Sequence, residues 1–120
     1  MIKKYKGLDQ RSIYLRELII RALQGGGRGH VGSAFSLVEI VRFLFDEYLI
    51  YKSKNIGYKS RDRFILSKGH GCLALYALLA DKNFIPLKSL DDFCQLDGLL
   101  GGLPDHRKIP GIEASTGSLG

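Results

Sequence analysis

The stretch from Cys72 to Lys82 carries Leu73, Leu75, Tyr76, Leu78 and Leu79 and is apolar nearly all round. A helix without a polar face is largely buried, so the rest of the chain has to pack around it. The residues just before it sharpen the constraint. Phe64-Ile65-Leu66 is a short apolar run that leads into Ser67-Lys68-Gly69-His70-Gly71, and it reads as a buried strand entering a glycine-rich turn.

Two further helices are predicted upstream. Asp9 can cap a helix running to about Gln24, with Leu15, Leu18, Ile19, Ala22 and Leu23 on one face. Gly25, Gly26 and Gly27 end it, because glycine tolerates the left-handed cap conformation. Ser36 and Glu39 have the spacing of a capping box. The helix behind them carries Leu37, Ile40, Val41, Leu44, Phe45 and Tyr48, with Val38 and Phe43 on other faces, and is expected to be buried on more than one side. Residues 52–63 read as a polar connecting loop, Ser89 with Asp92 as a short helix start, and residues 98–111 as an ordered Gly- and Pro-containing loop. The order helix, helix, strand, helix implies an α/β layered fold. One strand makes no sheet, so the remaining strands lie either within the segments read as loops or, the preferred reading, beyond residue 120.

Composition excludes several classes. With 120 residues, 45% hydrophobic and 25% charged, the chain fits one ordinary globular domain or part of one. Its net charge of +6 suits a phosphorylated ligand or plain solubility as well as nucleic acid. The basic residues are scattered from Lys3, Lys4 and Lys6 through Arg16, Arg21 and Arg28 to Arg61 and Arg63, with no dense basic run interleaved with aromatics, so no nucleic-acid partner is expected. Cys72 and Cys94 lack metal-ligand or redox spacing and read as reduced thiols of a cytoplasmic protein. The N-terminus lacks the apolar core of a signal peptide, and no run approaches the ~20 apolar residues of a membrane span.

Three glycine-flanked turns stand out as chemistry-bearing. In Ser67–Gly71 a strand meets a helix start, where free backbone N–H groups favour an anion and His70 can donate to the same group; a plain turn with a locally bonded histidine is the competing reading. In Gly29-His30-Val31-Gly32-Ser33, His30 sits among glycines as site-lining histidines do, and suits proton transfer near neutral pH; the alternative is a surface histidine. The third turn, Ser115-Thr116-Gly117-Ser118-Leu119-Gly120, is weak evidence by itself.

Taken together, the three turns resemble the transketolase family in order, content and spacing. GHVGSAFSLVEIVRFLF is similar to the family's GHPGGSLS stretch and following helix, RDRFILSKGHGCLALYALLADKNF to RDRFVLSKGHAAPALYA, and PGIEASTGSLG to PGVEASTGSLG. The resemblance spans about residues 10 to 120. It implies a thiamine-diphosphate-binding α/β fold, of which this chain would be the helix-rich N-terminal part of a parallel-sheet domain. It implies that His70 contacts the cofactor's diphosphate, that Gly117, Ser118 and Leu119 line its rings, and that His30 faces the sugar near the reacting carbon. The implied reaction is transfer of a two-carbon ketol unit between sugar phosphates.

One departure bears on substrate. Where the family usually has GHPD, this chain has Gly102-Leu103-Pro104-Asp105, so leucine replaces a substrate-holding histidine; His106 reads as a solvent-facing loop residue. Ordinary pentose phosphates are therefore in question. The family's Gly-Asp-Gly magnesium motif does not occur in the chain, so no residue here is expected to bind metal, and the Mg²⁺ ligands are expected beyond residue 120. A partner is also implied, either a second copy in a homodimer or a C-terminal transketolase subunit. The chain is thus expected to be inactive alone. The alternatives are a non-catalytic interaction module derived from this family, or another thiamine-diphosphate enzyme of sugar metabolism such as a deoxyxylulose-phosphate synthase or a dehydrogenase E1 component.

Overall fold

A computed structural model describes residues 7–120; Lys3, Lys4, Lys6 and the signal-peptide reading of the N-terminus lie outside the described residues. Helix α1 spans Gln10–Gly26, and the Asp9 carboxylate accepts the Ser12 N–H at 2.9 Å as its N-cap. The helix runs two residues further than its glycines suggest. Gly27 alone takes the left-handed conformation, with φ 63°, and its N–H returns to Leu23 O at 2.9 Å. Gly25 and Gly26 serve packing instead: a Cβ on Gly25 would lie 2.2 Å from Asp91 O, and one on Gly26 would lie 2.6 Å from Phe93 O.

Helix α2, Val31–Phe35, continues almost directly into α3, Val38–Phe43, and then into a π-helical turn, Leu44–Tyr48. The expected capping box at Ser36 does not form. Ser36 and Leu37 themselves lie in the right-handed helical region, so no free helix end exists there to cap. The Ser36 hydroxyl donates to Ser33 O at 3.0 Å, and Glu39 instead accepts from Arg16. Burial of this helix is also one-sided. Ala34, Val38, Val41 and Phe45 face the core, whereas Ile40, Phe43 and Tyr48 are 57%, 50% and 70% exposed.

Helix α4, Cys72–Asp81, is the centre of the fold, and Cys72 through Ala80 are all buried. α1, α2 and α3 pack on it, as does the 3₁₀ turn Leu87–Asp92. That turn begins after Pro86, and Ser89 lies inside it, so Ser89 is not a helix start. Loop 98–111 closes over α4: Tyr76 donates its hydroxyl to Gly101 O at 2.8 Å, and Ile109 is buried with Leu100.

The strand expected at Phe64–Leu66 is not formed. Leu66 is buried, but Ile65 is 58% exposed, and the Leu66 carbonyl accepts from the Thr116 side chain rather than from a neighbouring strand. Among the described residues no strand is present, and the one β-type pairing is an isolated parallel bridge, Lys68 with Gly117. A strand needs a ladder partner, and here only the two glycine turns meet.

Candidate functional site

The bridge between Lys68 and Gly117 brings the second and third glycine turns together. Gly69 donates its N–H to Gly117 O at 3.1 Å, and a Cβ on Gly69 would lie 2.6 Å from Gly117 N. Only glycine permits that approach. The first turn is tied to the second by Lys68, whose ammonium donates to Ser33 O at 3.3 Å and Ser36 Oγ at 3.2 Å. Gly71 tightens the same junction, because a Cβ there would lie 2.3 Å from Leu37 Cδ1.

These contacts set His30 against His70. Their rings meet edge to face, with centroids 5.0 Å apart and planes at 86°. His30 ends the loop before α2, and His70 lies in the 3₁₀ turn Gly69–Gly71 that opens α4. Both line a cavity of about 230 Å³, together with Arg28, Cys72, Phe93 and Cys94. Gly29 at its wall has φ 143°, a conformation suited to glycine, and a Cβ there would strike Leu23. The site thus combines a glycine turn at a helix start with two facing imidazoles. Such groups can hold an anion and move a proton. The Cys72 thiol, donating to Gly102 O at 3.3 Å, is pushed up to about 11 by burial and is not a nucleophile at neutral pH.

The third turn is joined to the second through Gly117 and Thr116, whose carbonyl carbon would lie 2.8 Å from a Cβ on Gly69. Ser118 and Leu119 are exposed and do not line the cavity; the Ser118 hydroxyl accepts the Gly120 N–H at 3.2 Å. Leu103 lies beside this turn, its Cδ1 3.5 Å from where a Cβ on Gly117 would stand. His106 is exposed and sits on Ser115, Nδ1 to Oγ 2.9 Å, not in the cavity. The loop bearing Glu113 is held from the other side. Burial raises the Glu113 pKa, but Arg61 and Arg63 outweigh that and leave it lowered. No group of three or more His, Cys, Asp or Glu side chains among the described residues is placed to hold a metal ion.

Sequence reasoning missed Lys68 as the tether and Arg28 as a wall of the cavity. Both stand next to residues it did select, Gly69 and Gly29, and that adjacency is the signal that could have found them.

A family model described as the thiamine-diphosphate-binding domain of transketolase matches residues 9–120. The chain belongs to the transketolase family. A chloroplastic transketolase of Arabidopsis thaliana is 39% identical over 115 residues, covering 94% of this chain and 16% of that protein. A 6-deoxy-6-sulfo-D-fructose transketolase subunit of Clostridium sp. (strain MSTE9) is 37% identical over 113 residues, covering 94% of this chain and 41% of that protein. The solved transketolase of Leishmania mexicana superposes with a TM-score of 0.85 at 33% identity, over 98% of this chain and 18% of that one. The chain therefore spans well under half the length of these transketolases. No helix among the described residues is long and apolar enough to cross a membrane.

Proposed function

We propose that the chain is the cofactor-side part of a transketolase-like enzyme, which transfers a two-carbon ketol unit between sugar phosphates using thiamine diphosphate. The observation that carries this reading is the meeting of His30 and His70 at one cavity, with His70 next in sequence to the Gly69 that contacts Gly117, in a chain of the transketolase family. The residues present fit the cofactor. A histidine at a helix start, beside glycine turns held backbone to backbone, is the donor set a diphosphate needs.

In this reading His70 and the backbone of the second turn hold the diphosphate, and Gly117, Ser118 and Leu119 border the cofactor's rings. When bound, thiamine diphosphate supplies a carbon nucleophile and an electron sink at the ketose carbonyl. His30 orients the sugar hydroxyls and carries a proton to and from the substrate oxygen. Phe93 and Leu73 exclude water from one side of the cavity. Leu103 removes a hydrogen-bonding group from the substrate side, favouring a sugar other than the ordinary pentose phosphates.

The larger assembly is part of the proposal. Residues 7–120 form part of an α/β domain whose sheet is completed elsewhere, and the Lys68–Gly117 bridge is consistent with two parallel strand ends meeting there. Mg²⁺ ligands come from the rest of the enzyme. A second copy or a C-terminal subunit completes the site; the Clostridium relative is itself a transketolase subunit. The chain alone is inactive, and the enzyme works in the cytoplasm. The test is a coupled ketol-transfer assay on the complete enzyme containing this chain, across ketose and aldose phosphates. Thiamine-dependent transfer is expected, and its absence with every donor would overturn the reading.

A further inference from the structure

The chain has eight arginines, and seven of them pair with a carboxylate: Arg11, Arg16, Arg21, Arg42, Arg61, Arg63 and Arg107. Arg28 is the exception. Among the described residues it has no ion pair and no side-chain hydrogen bond, and residues 1–6 contain no Asp or Glu to provide one. It is also the arginine that lines the cavity of His30 and His70. Its charge bears on the Cys94 thiol in the same wall, where it works against the upward push of burial.

An exposed guanidinium satisfied by water is ordinary; one at the rim of a site, in a chain that pairs every other arginine, is a hydrogen-bond donor left free for an anion. Its planar fork suits an oxyanion, which it can grip with two N–H groups. Gly27 and Gly29 on either side hold left-handed conformations, with φ 63° and 143°, and so fix the loop that presents it. Asp91, which packs against Gly25 in the preceding turn, is taken by Arg21 through two contacts of 2.6 Å.

We infer that Arg28 is a specificity-determining residue that grips an oxyanion, phosphate or sulfonate, carried by the sugar substrate in the cavity of His30 and His70. The inference rests on the ketol-transfer reading and names its substrate class. Arg28 touches neither the cofactor turns nor the two histidines by any hydrogen bond, so it selects the substrate and leaves the chemistry to them.

The test uses the complete enzyme containing this chain, with Arg28→Ala and Arg28→Lys. The kcat/KM is measured with phosphorylated, sulfonated and neutral sugars of the same chain length. Arg28→Ala is expected to lower it about tenfold to hundredfold for the anionic sugars, with the neutral sugar changed less than about twofold. Arg28→Lys, which keeps charge but loses the fork, should recover part of the loss. Loss confined to one anion identifies which of the two is the ligand. Equal change for neutral and anionic sugars overturns the inference, whereas no ketol transfer by the unaltered enzyme overturns the parent reading. A second readout needs no turnover. Inorganic phosphate or methanesulfonate should shift the Arg28 Nε–Hε NMR signal, assigned by its loss in Arg28→Lys. A signal that neither anion moves overturns the inference even where the transfer assay succeeds.

Discussion

His30 and His70 touch edge to face, yet the account gives them different work, and substitutions should separate them. In the proposed function, His70→Ala removes a donor to the cofactor's diphosphate. In the complete enzyme it is expected to weaken thiamine diphosphate binding about tenfold to hundredfold, as measured by the cofactor concentration needed for half-maximal activity. His30→Ala removes a proton carrier and should lower kcat about a hundredfold or more while leaving that concentration nearly unchanged. The two cysteines differ as well. The Cys72 thiol is buried in the core, and burial pushes it up to about 11. Cys72 should therefore resist a thiol-specific maleimide at pH 7.5 until the protein is unfolded, as followed by mass spectrometry. Labelling of Cys72 in the native protein at the rate of a free thiol would show that α4 is more open than described.

At the level of elements, α4 holds the structure together because it has no solvent face. Leu78→Ala at its fully buried centre should cost about 2–5 kcal/mol, read from denaturant unfolding of the complete enzyme. A charge cluster pins α1 to the helices around it. Arg11 donates to Asp46 at 2.9 Å and to Asp81 at 2.8 Å, Lys82 also pairs with Asp46, and Arg42 lies 3.3 Å from Asp9. The Arg11 hydrogen bond, aided by Lys82, lowers the Asp46 pKa from 3.8 to about 2. Because the folded value is the lower one, the stabilisation is present above about pH 4 and is lost as pH falls through about 2. It amounts to about 1 kcal/mol once solvent screening of a partly exposed pair is allowed for. The thermal midpoint should drop over that window, and Asp46→Asn should flatten the drop. The elements also show where sequence was legible. α4 and α1 could be read because apolar identity and the Asp9 cap are local properties of the chain. The Ser36 cap and the Phe64–Leu66 strand could not, because each depends on neighbours: a helix already running through Ser36, and a ladder partner for Leu66. The exposed stripe of Ile40, Phe43 and Tyr48 was misread for the same reason, since periodicity gives the apolar face of a helix but not what covers it.

For the molecule as a whole, the family was legible because glycine turns keep their sequence where backbones must nearly touch, as at Gly69 and Gly117. Lys68, Arg28 and the cavity between the turns emerge only in three dimensions. In the proposed function, three turns assemble one side of a cofactor site, and the other side belongs to the rest of the enzyme. The most direct test is a calorimetric titration of thiamine diphosphate, with and without Mg²⁺, into residues 1–120 and into the complete enzyme. The account expects Mg²⁺-dependent binding by the complete enzyme and none by the chain alone. Tight, Mg²⁺-dependent binding by the chain alone, or no binding by the complete enzyme, would contradict it.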